Sequence, residues 1–239
     1  MICGARRSAT SSLHYYLDEH PEIRMLWGRD FPSADALAAG LSYDAMFTSL
    51  LGDRDFAARD DAVVGPQAGR YAYLGWRMDY SMYFPHVLLN LAERLPELRI
   101  LFSLRNPVDA IYSVWCRRRE RGSEESFEAF LGMRSDAPSA ADAPHWSHFY
   151  EDPRRVPMPV QRSIYAPGVS RTLELFPAEQ VHAVPFERLT RETAETMAQV
   201  LGFLGLDPGY AFKRLGEVRS PSQKPGEMSA ETRARLLAF

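Results

Sequence analysis

Short apolar runs that end in small or hydroxyl residues alternate along the chain with segments of helical period. The runs typical of strands are Met1–Cys3, Ile23–Trp27, Arg99–Leu104 and Gln180–Phe186. The segments whose apolar spacing predicts helices are Ser11–Glu19, Ser33–Leu51, Pro85–Leu95, Pro107–Arg119, Phe127–Met133, Gln161–Phe176, Arg191–Leu204 and a last one from Ser229. This alternation predicts an α/β fold of three layers, with a central parallel sheet flanked by helices.

Composition narrows the classes of protein to consider. With 239 residues, 46% of them hydrophobic, the chain can bury one core, so we expect a single domain over 1–239. A net charge of −3 argues against a general nucleic-acid binder. Cys3 and Cys116 make no disulfide framework, which favours a reducing, cytoplasmic compartment. Apolar runs are too short for an integral membrane segment, for which about 18 residues are needed.

Two further expectations concern the organisation of the chain. Residues 135–159 are rich in Pro, Ala and Asp, and with the preceding residues they predict a loop or lid over 122–159 on the acceptor side of a site. The chain starts inside the first predicted strand and stops inside the last predicted helix. We therefore expect both termini to be clipped.

The turn after the first strand has the composition of an anion-binding loop. Gly4 is followed by two arginines and a run of hydroxyl residues, and the amides of Ser8–Ser11 would point at a ligand from a helix N-terminus. A Walker loop requires Gly-Lys where this chain has Ala9 and Thr10, so the magnesium–nucleotide interpretation fails at its key residue. A plain turn capped by Thr10 or Ser11 is the alternative.

A second turn of the same kind follows the strand Arg99–Leu104. Arg105 ends this strand, Pro107 begins the next helix and Ser113 lies further along that helix. A guanidinium and a hydroxyl on one side of a sheet suit a terminal phosphate. A surface arginine with an ordinary helix serine is the alternative. Two such turns together indicate a ligand with phosphates at both ends.

At these two turns the chain resembles the sulfotransferases that use 3′-phosphoadenosine 5′-phosphosulfate (PAPS), in the bacterial and Golgi-type branch that includes heparan sulfate sulfotransferases. GARRSATSSL is similar to that family's 5′-phosphosulfate loop, and LRNPVDAIYS is similar to its 3′-phosphate motif. Further similar stretches, in family order, are His20-Pro21, GLSYDAMF, Gly75-Trp76-Arg77, Ser163–Leu189, AQVLGFLGLDP and SQKPGEMSAETRARLLAF.

The resemblance implies a P-loop-NTPase-like fold and an enzyme that moves the sulfuryl group of PAPS to a hydroxyl or amine. The acceptor would be a small molecule, lipid or glycan, the product would be adenosine 3′,5′-bisphosphate (PAP), and no metal is required. The implied cofactor contacts are Arg6, Arg7, Ser8, Ala9, Thr10, Ser11, Arg105, Ser113, Arg219 and Lys224. Arg7 would stabilise charge on the leaving phosphate and would not act as an acid, because arginine stays protonated.

The resemblance also suggests residues on the acceptor side. Asp30 is the nearest counterpart of a family glutamate and would be the general base; a solvated aspartate paired with Arg29 is the alternative. Asp35 is the fallback base, and His14 and His86 are further candidates. Arg77 matches a family lysine and would touch the acceptor or the sulfuryl oxygens, with a surface salt bridge as the alternative. Trp76 stands where that family segment has glutamate.

The remaining patterns leave alternatives open. Arg117–Arg119 predict a solvated basic helix end or a surface that attracts an anionic cofactor. The aromatic residues of 71–83 would pack in the core or line an acceptor pocket, and His145, Trp146 and His148 would contact the acceptor or lie on the surface. Two other functions compete with sulfuryl transfer, namely a P-loop nucleotide or small-molecule kinase and a non-catalytic PAP-binding homologue.

Overall fold

The structure, a computed structural model, describes residues 1–25, 71–79, 81–131, 163–216 and 228–237. Elements are numbered here along those residues. The predicted helix Ser33–Leu51 lies outside the described residues, as do 132–159 of the predicted loop. The first part of that loop contains a short helix, Phe127–Phe130.

A parallel sheet occupies the centre of the described molecule. Its strands are β1 (Ile2–Gly4), β4 (Ile100–Leu104) and β5 (Val181–Pro185), in the spatial order β1–β4–β5. In the register, Ile2 lies opposite Leu101, and Leu101 lies opposite His182. The carboxyl ends of all three strands therefore meet at one edge of the sheet.

A second parallel pair joins the free side of β1. Strands β2 (Ile23–Met25) and β3 (Tyr73–Gly75) pair with each other. The residues after β3 continue alongside β1, where the Ile2 amide donates to the Trp76 carbonyl at 2.8 Å and the Met78 amide donates to the Ile2 carbonyl at 2.9 Å. This contact places Arg77 beside the start of β1.

Helices cover both faces of the sheet. They are α1 (Thr10–Glu19), α2 (Pro85–Arg94), α3 (Pro107–Glu120), α4 (Phe127–Phe130), α5 (Ala166–Leu175), α6 (Phe186–Arg191), α7 (Thr193–Leu204) and α8 (Ala230–Leu237). Short 3₁₀ turns at Ser81–Tyr83 and Ala178–Gln180 precede α2 and β5. Proline at the first turn begins α2 and α3, as predicted, because its missing N–H has no partner to lose there.

Alternating side chains of the strands build two cores. Cys3 and Phe102 face a cluster that includes residues of α2, whereas Ile2 and Leu101 face a cluster that includes residues of α1 and α7. Successive side chains of a strand point to opposite faces, so apolar residues at successive positions require cover on both sides. The three-layer α/β fold predicted from the sequence is confirmed.

Several details of the predicted elements differ from the structure. β3 was not predicted, because three residues carry too short a pattern to recognise. Helix α5 begins at Ala166 and not at Gln161. The strand β5 runs directly into α6, which was also not predicted, and the backbone at Glu192 separates α6 from α7 with φ −125° and ψ 49°. Because the residues on both sides of this break favour helix, the apolar periodicity of the sequence does not reveal it.

Candidate active site

The loop between β1 and α1 holds an unusual backbone. Arg7 and Ala9 have φ angles of 66° and 61°, in the left-handed region that non-glycine residues rarely adopt. Ala9 is also the N-cap residue of α1 and supplies no side-chain cap hydrogen bond. The predicted alternative of a turn capped by Thr10 or Ser11 is therefore wrong, since both residues belong to the helix itself. Strained loops of this kind concentrate at ligand-binding sites.

Contacts from β4 fix the conformation of this loop. The Ala5 amide donates to the Ser103 carbonyl at 3.0 Å, and the Ser103 hydroxyl donates to the Ser8 carbonyl. A Cβ atom at Gly4 would lie 2.6 Å from Thr10 Cγ2 and 2.9 Å from the Ser103 carbonyl oxygen. Glycine is therefore required for the helix to start so close to β4. Sequence reasoning missed Ser103, although its place in an otherwise apolar strand was a visible signal.

The second turn leads from β4 into α3 through a capped helix start. The Asn106 side chain accepts hydrogen bonds from the Val108 amide at 3.0 Å and the Asp109 amide at 3.3 Å. The backbone N–H of Asn106 donates to Glu187 Oε1 at 3.0 Å. The cap holds the end of β4 rigidly, so Arg105 leaves the strand at a fixed position.

The two turns meet through their predicted ligand-binding residues. Arg7 Nε donates to Ser113 Oγ at 3.1 Å, and Arg105 Nη1 donates to the Arg7 carbonyl at 3.1 Å. Residues that are distant in the sequence thus form one cluster at the carboxyl edge of the sheet. Open parallel sheets bind their ligands at this edge.

Burial concentrates positive charge in this cluster. The pKa of Arg7 is lowered, first by burial and then by the neighbouring Arg117 charge. Burial also lowers the pKa of Arg105, whose guanidinium carbon lies 4.2 Å from the centre of the Phe186 ring. Arginine nonetheless keeps its proton. A half-buried, permanently charged pair of this kind interacts more strongly with an anion than exposed side chains do.

Arg117 differs from the rest of the basic run at the end of α3. It follows Ser113 by one helical turn and is ion-paired to Glu120 at 2.7 Å. Arg118, by contrast, pairs with Glu125 at 3.4 Å and is more exposed. Arg117 therefore belongs to the charged cluster of Arg7 and Arg105. Arg118 lies in the solvated environment that the sequence favoured for the whole basic run.

A third group lies beside the first turn of α1. Arg77 Nη1 donates to Ser11 Oγ, and Arg77 Nε lies 3.5 Å from Asp79 Oδ1. Arg77 thus makes a salt bridge, as one sequence-based alternative has it, and also reaches the predicted cofactor loop. Its contact with an acceptor or with sulfuryl oxygens stays a prediction. Asp79 was missed, because nothing in the local sequence marks it as buried.

Comparisons with known proteins agree with this geometry. A sequence model described as "Sulfotransferase family" matches residues 1–210. The chain belongs to the sulfotransferase family. No curated protein sequence matches it.

Solved sulfotransferase structures share the fold. The crystal structure of a sulfotransferase from Alicyclobacillus acidocaldarius matches with a TM-score of 0.65 at 21% identity, covering 100% of this chain and 89% of the other. The sulfotransferase domain of an olefin synthase from Synechococcus PCC 7002 matches with a TM-score of 0.50 at 14% identity, covering 100% and 92%. At these identities the likeness establishes the P-loop-like fold, which agrees with the predicted class.

The guanidinium and hydroxyl groups of the two turns could hold a phosphorylated ligand. Guanidinium and hydroxyl groups are the usual protein partners of phosphate oxygens. Two buried polar atoms, Ser8 Oγ and Arg105 Nε, make no hydrogen bond within the described part of the chain. Buried polar groups normally have partners, so their lack of one here is consistent with a polar ligand.

Other predicted residues take places away from the charged cluster or outside the described ranges. Trp76 and Tyr83 are buried in the core. His14 is buried in α1, and its pKa is lowered to about 4, first by burial and then by Arg77. The predicted residues outside the described ranges are Asp30, Asp35, Tyr80, His145, Trp146, His148, Arg219 and Lys224.

Two features are absent from the described ranges. Among these residues, His, Cys, Asp and Glu side chains form no group of three or more that could hold a metal ion. In the same ranges, none of the helices combines the length and apolar character needed to span a membrane.

Proposed function

We propose that the chain binds PAPS across its two turns and transfers the sulfuryl group to a hydroxyl or amine of a small-molecule, lipid or glycan acceptor. The observation that carries this proposal is the direct contact between the two turns, Arg7 with Ser113 and Arg105 with the Arg7 carbonyl. Family membership supplies the reaction class. A cytoplasmic location and a single-domain organisation remain predictions of the sequence.

Each turn takes one end of the nucleotide in this proposal. The amides of Ser8–Ser11, together with Arg6 and Arg7, bind the 5′-phosphosulfate at the N-terminus of α1, where the helix dipole favours an anion. Arg105 and Ser113 bind the 3′-phosphate. The bound donor supplies a sulfur atom whose bond to the bridging phosphate oxygen breaks as a bond to the acceptor oxygen or nitrogen forms, while the acceptor proton passes to a base.

In this proposal, Arg7 would favour the transition state by charge alone. Negative charge grows on the bridging oxygen as the leaving phosphate separates, and a fixed cation nearby stabilises it. The hydrogen bond to Ser113 holds the guanidinium in place before the reaction. Because an arginine side chain stays protonated, Arg7 would donate hydrogen bonds without transferring a proton.

The remaining roles concern the acceptor side and the closure over the nucleotide. Arg77 is half-buried beside the first turn of α1 and would contact the sulfuryl oxygens or the acceptor. Asp30 would accept the acceptor proton, and Arg219 with Lys224 would close over the nucleotide. These roles are carried over from the family resemblance.

Calorimetric titration separates the proposed function from its competitors. Wild-type protein in EDTA is titrated with PAP, and in magnesium with ATP. Preferential, metal-independent binding of PAP supports the proposal, whereas a magnesium-dependent preference for ATP supports a kinase. Transfer of labelled sulfate from PAPS to a panel of phenols, sugars and amines then distinguishes an enzyme from a non-catalytic PAP-binding homologue.

The first prediction concerns Arg105. Replacement of Arg105 by Ala removes a charged partner of the 3′-phosphate and should weaken PAP binding by about 1.5–3 kcal/mol. Arg171→Ala is the matched control, because Arg171 pairs with Glu174 on α5. Equal PAP affinity in the Arg105 variant and the wild type would show that this arginine does not bind the nucleotide.

A further inference from the structure

A partly buried carboxylate lies next to the proposed sulfuryl site and has no role in the function described so far. Asp79 follows β3 and the segment that runs beside β1. Its side chain is 22% exposed, and its Oδ1 atom, 3.5 Å from Arg77 Nε, is buried. Through Arg77 it is linked to Ser11, in the first turn of α1.

The carboxylate occupies an unfavourable environment. Burial raises the pKa of Asp79, while the charges of Arg77 and Arg6 and a hydrogen bond from Thr10 lower it. Taking a carboxylate out of water destabilises the folded state unless its partners fully compensate. A long, imperfect contact with Arg77 compensates only in part, so the residue is poorly explained by stability.

The geometry suggests what the contact does instead. A guanidinium has five N–H donors in a rigid plane. Arg77 uses one of them on Ser11, and its Nε forms an ion pair with Asp79 Oδ1 at 3.5 Å. Two contacts on different nitrogens fix both the position and the rotation of the plane. The remaining donors therefore keep a defined direction at the start of α1, where the 5′-phosphosulfate is proposed to bind.

We propose that Asp79 is a positioning residue, which holds the Arg77 guanidinium against the first turn of α1 so that its other donors reach the sulfuryl oxygens of the donor. This inference rests on the proposed function. Asp79 would affect only the binding of the sulfuryl group, because Arg7 and Arg105 would bind the two phosphates without it.

The test compares the affinities of PAPS and PAP, which differ by the sulfuryl group alone. Both are titrated by calorimetry into wild type, Asp79→Asn, Arg77→Ala and the double variant. We expect Asp79→Asn to weaken PAPS about tenfold while PAP changes less than about twofold. The double variant should lose no more PAPS affinity than Arg77→Ala alone, because Asp79 acts through Arg77.

The chain offers a matched control for Asp79. Asp18 Oδ1 lies 3.5 Å from Arg24 Nη1 at the other end of α1, so it repeats the residue type and the ion-pair distance away from the site. Asp18→Asn should leave the ratio of PAPS to PAP affinity unchanged. Thermal unfolding of every variant is measured as a control for folding. If Asp79→Asn does not fold, Arg77→Gln takes its place and should show the same selective loss of PAPS affinity.

The outcomes separate this inference from the proposed function. Wild type that binds neither nucleotide overturns both. Wild type that binds PAP and PAPS, with equal losses for the two in Asp79→Asn or with additive losses in the double variant, overturns the positioning role alone.

Discussion

At the residue scale, the loop between β1 and α1 is governed by Ala9. Its φ of 61° is a conformation in which the methyl group crowds the backbone, by roughly 1–2 kcal/mol relative to the right-handed form. At this positive φ the methyl group also narrows the approach of the backbone to a ligand. Contacts from Ser103, which are not local in the sequence, hold the loop in this form.

Ala9→Gly should therefore stabilise the protein, by up to about 1 kcal/mol, since relief of strain outweighs the added freedom of the unfolded chain. Urea unfolding measures the change. Ala198→Gly, in the middle of α7, is the control and should destabilise by about 1 kcal/mol because its backbone is helical. A loss of stability in the Ala9 variant comparable to that of the control would show that the loop is unstrained.

His14 provides a second prediction at this scale. Its pKa is lowered from 6.5 to about 4, mainly by burial, so the unfolded chain takes up a proton before the folded chain does. The free energy of unfolding should therefore fall as the pH falls from about 6.5 to about 4. His20 and His182 have lowered pKa values as well, so the wild-type curve contains their contributions.

The difference between wild type and His14→Gln isolates the contribution of His14. Urea midpoints are measured at intervals across that pH range. The variant should lose less stability on acidification than the wild type, with a difference in slope of about one bound proton. Parallel curves would mean that His14 is hydrated and titrates normally in the folded state.

At the scale of elements, helix α3 presents a face to Arg7 that the sequence only partly revealed. Its start was predictable, because Asn106 and Pro107 are typical of a capped N-terminus. The different surroundings of Arg117 and Arg118 at its basic end were not predictable, because the direction of each arginine depends on neighbours from elsewhere in the chain. Ser113 and Arg117 lie one turn apart on the side of Arg7.

Arg117→Ala should weaken PAP binding by about 0.5–1.5 kcal/mol, less than the loss expected for Arg105, because Arg117 is 41% exposed and shares its charge with Glu120. Arg118→Ala, whose side chain is 54% exposed and pairs with Glu125, is the control and should leave binding nearly unchanged. Equal losses of PAP affinity in the two variants would show that the whole basic run acts on the nucleotide only by long-range charge attraction.

At the scale of the whole molecule, the site follows from the order of the parallel strands. Because β4 lies beside β1, the turns after both strands open at the same edge of the sheet. The sequence predicted both turns from their residue types, yet adjacency depends on strand order, which local patterns do not encode. The roles of Asp79 and Ser103 likewise arise from tertiary contacts, and for this reason neither was foreseen.

The central claim is that two neighbouring strand ends together bind a nucleotide with phosphates on both its 3′ and 5′ positions. The most direct test is calorimetric titration of the wild-type protein, in EDTA, with PAP, adenosine 5′-monophosphate and adenosine 3′-monophosphate. We predict that PAP binds at least about tenfold more tightly than either monophosphate, because each monophosphate lacks the phosphate that one of the two turns would bind. Binding of one monophosphate as tightly as PAP would contradict the account.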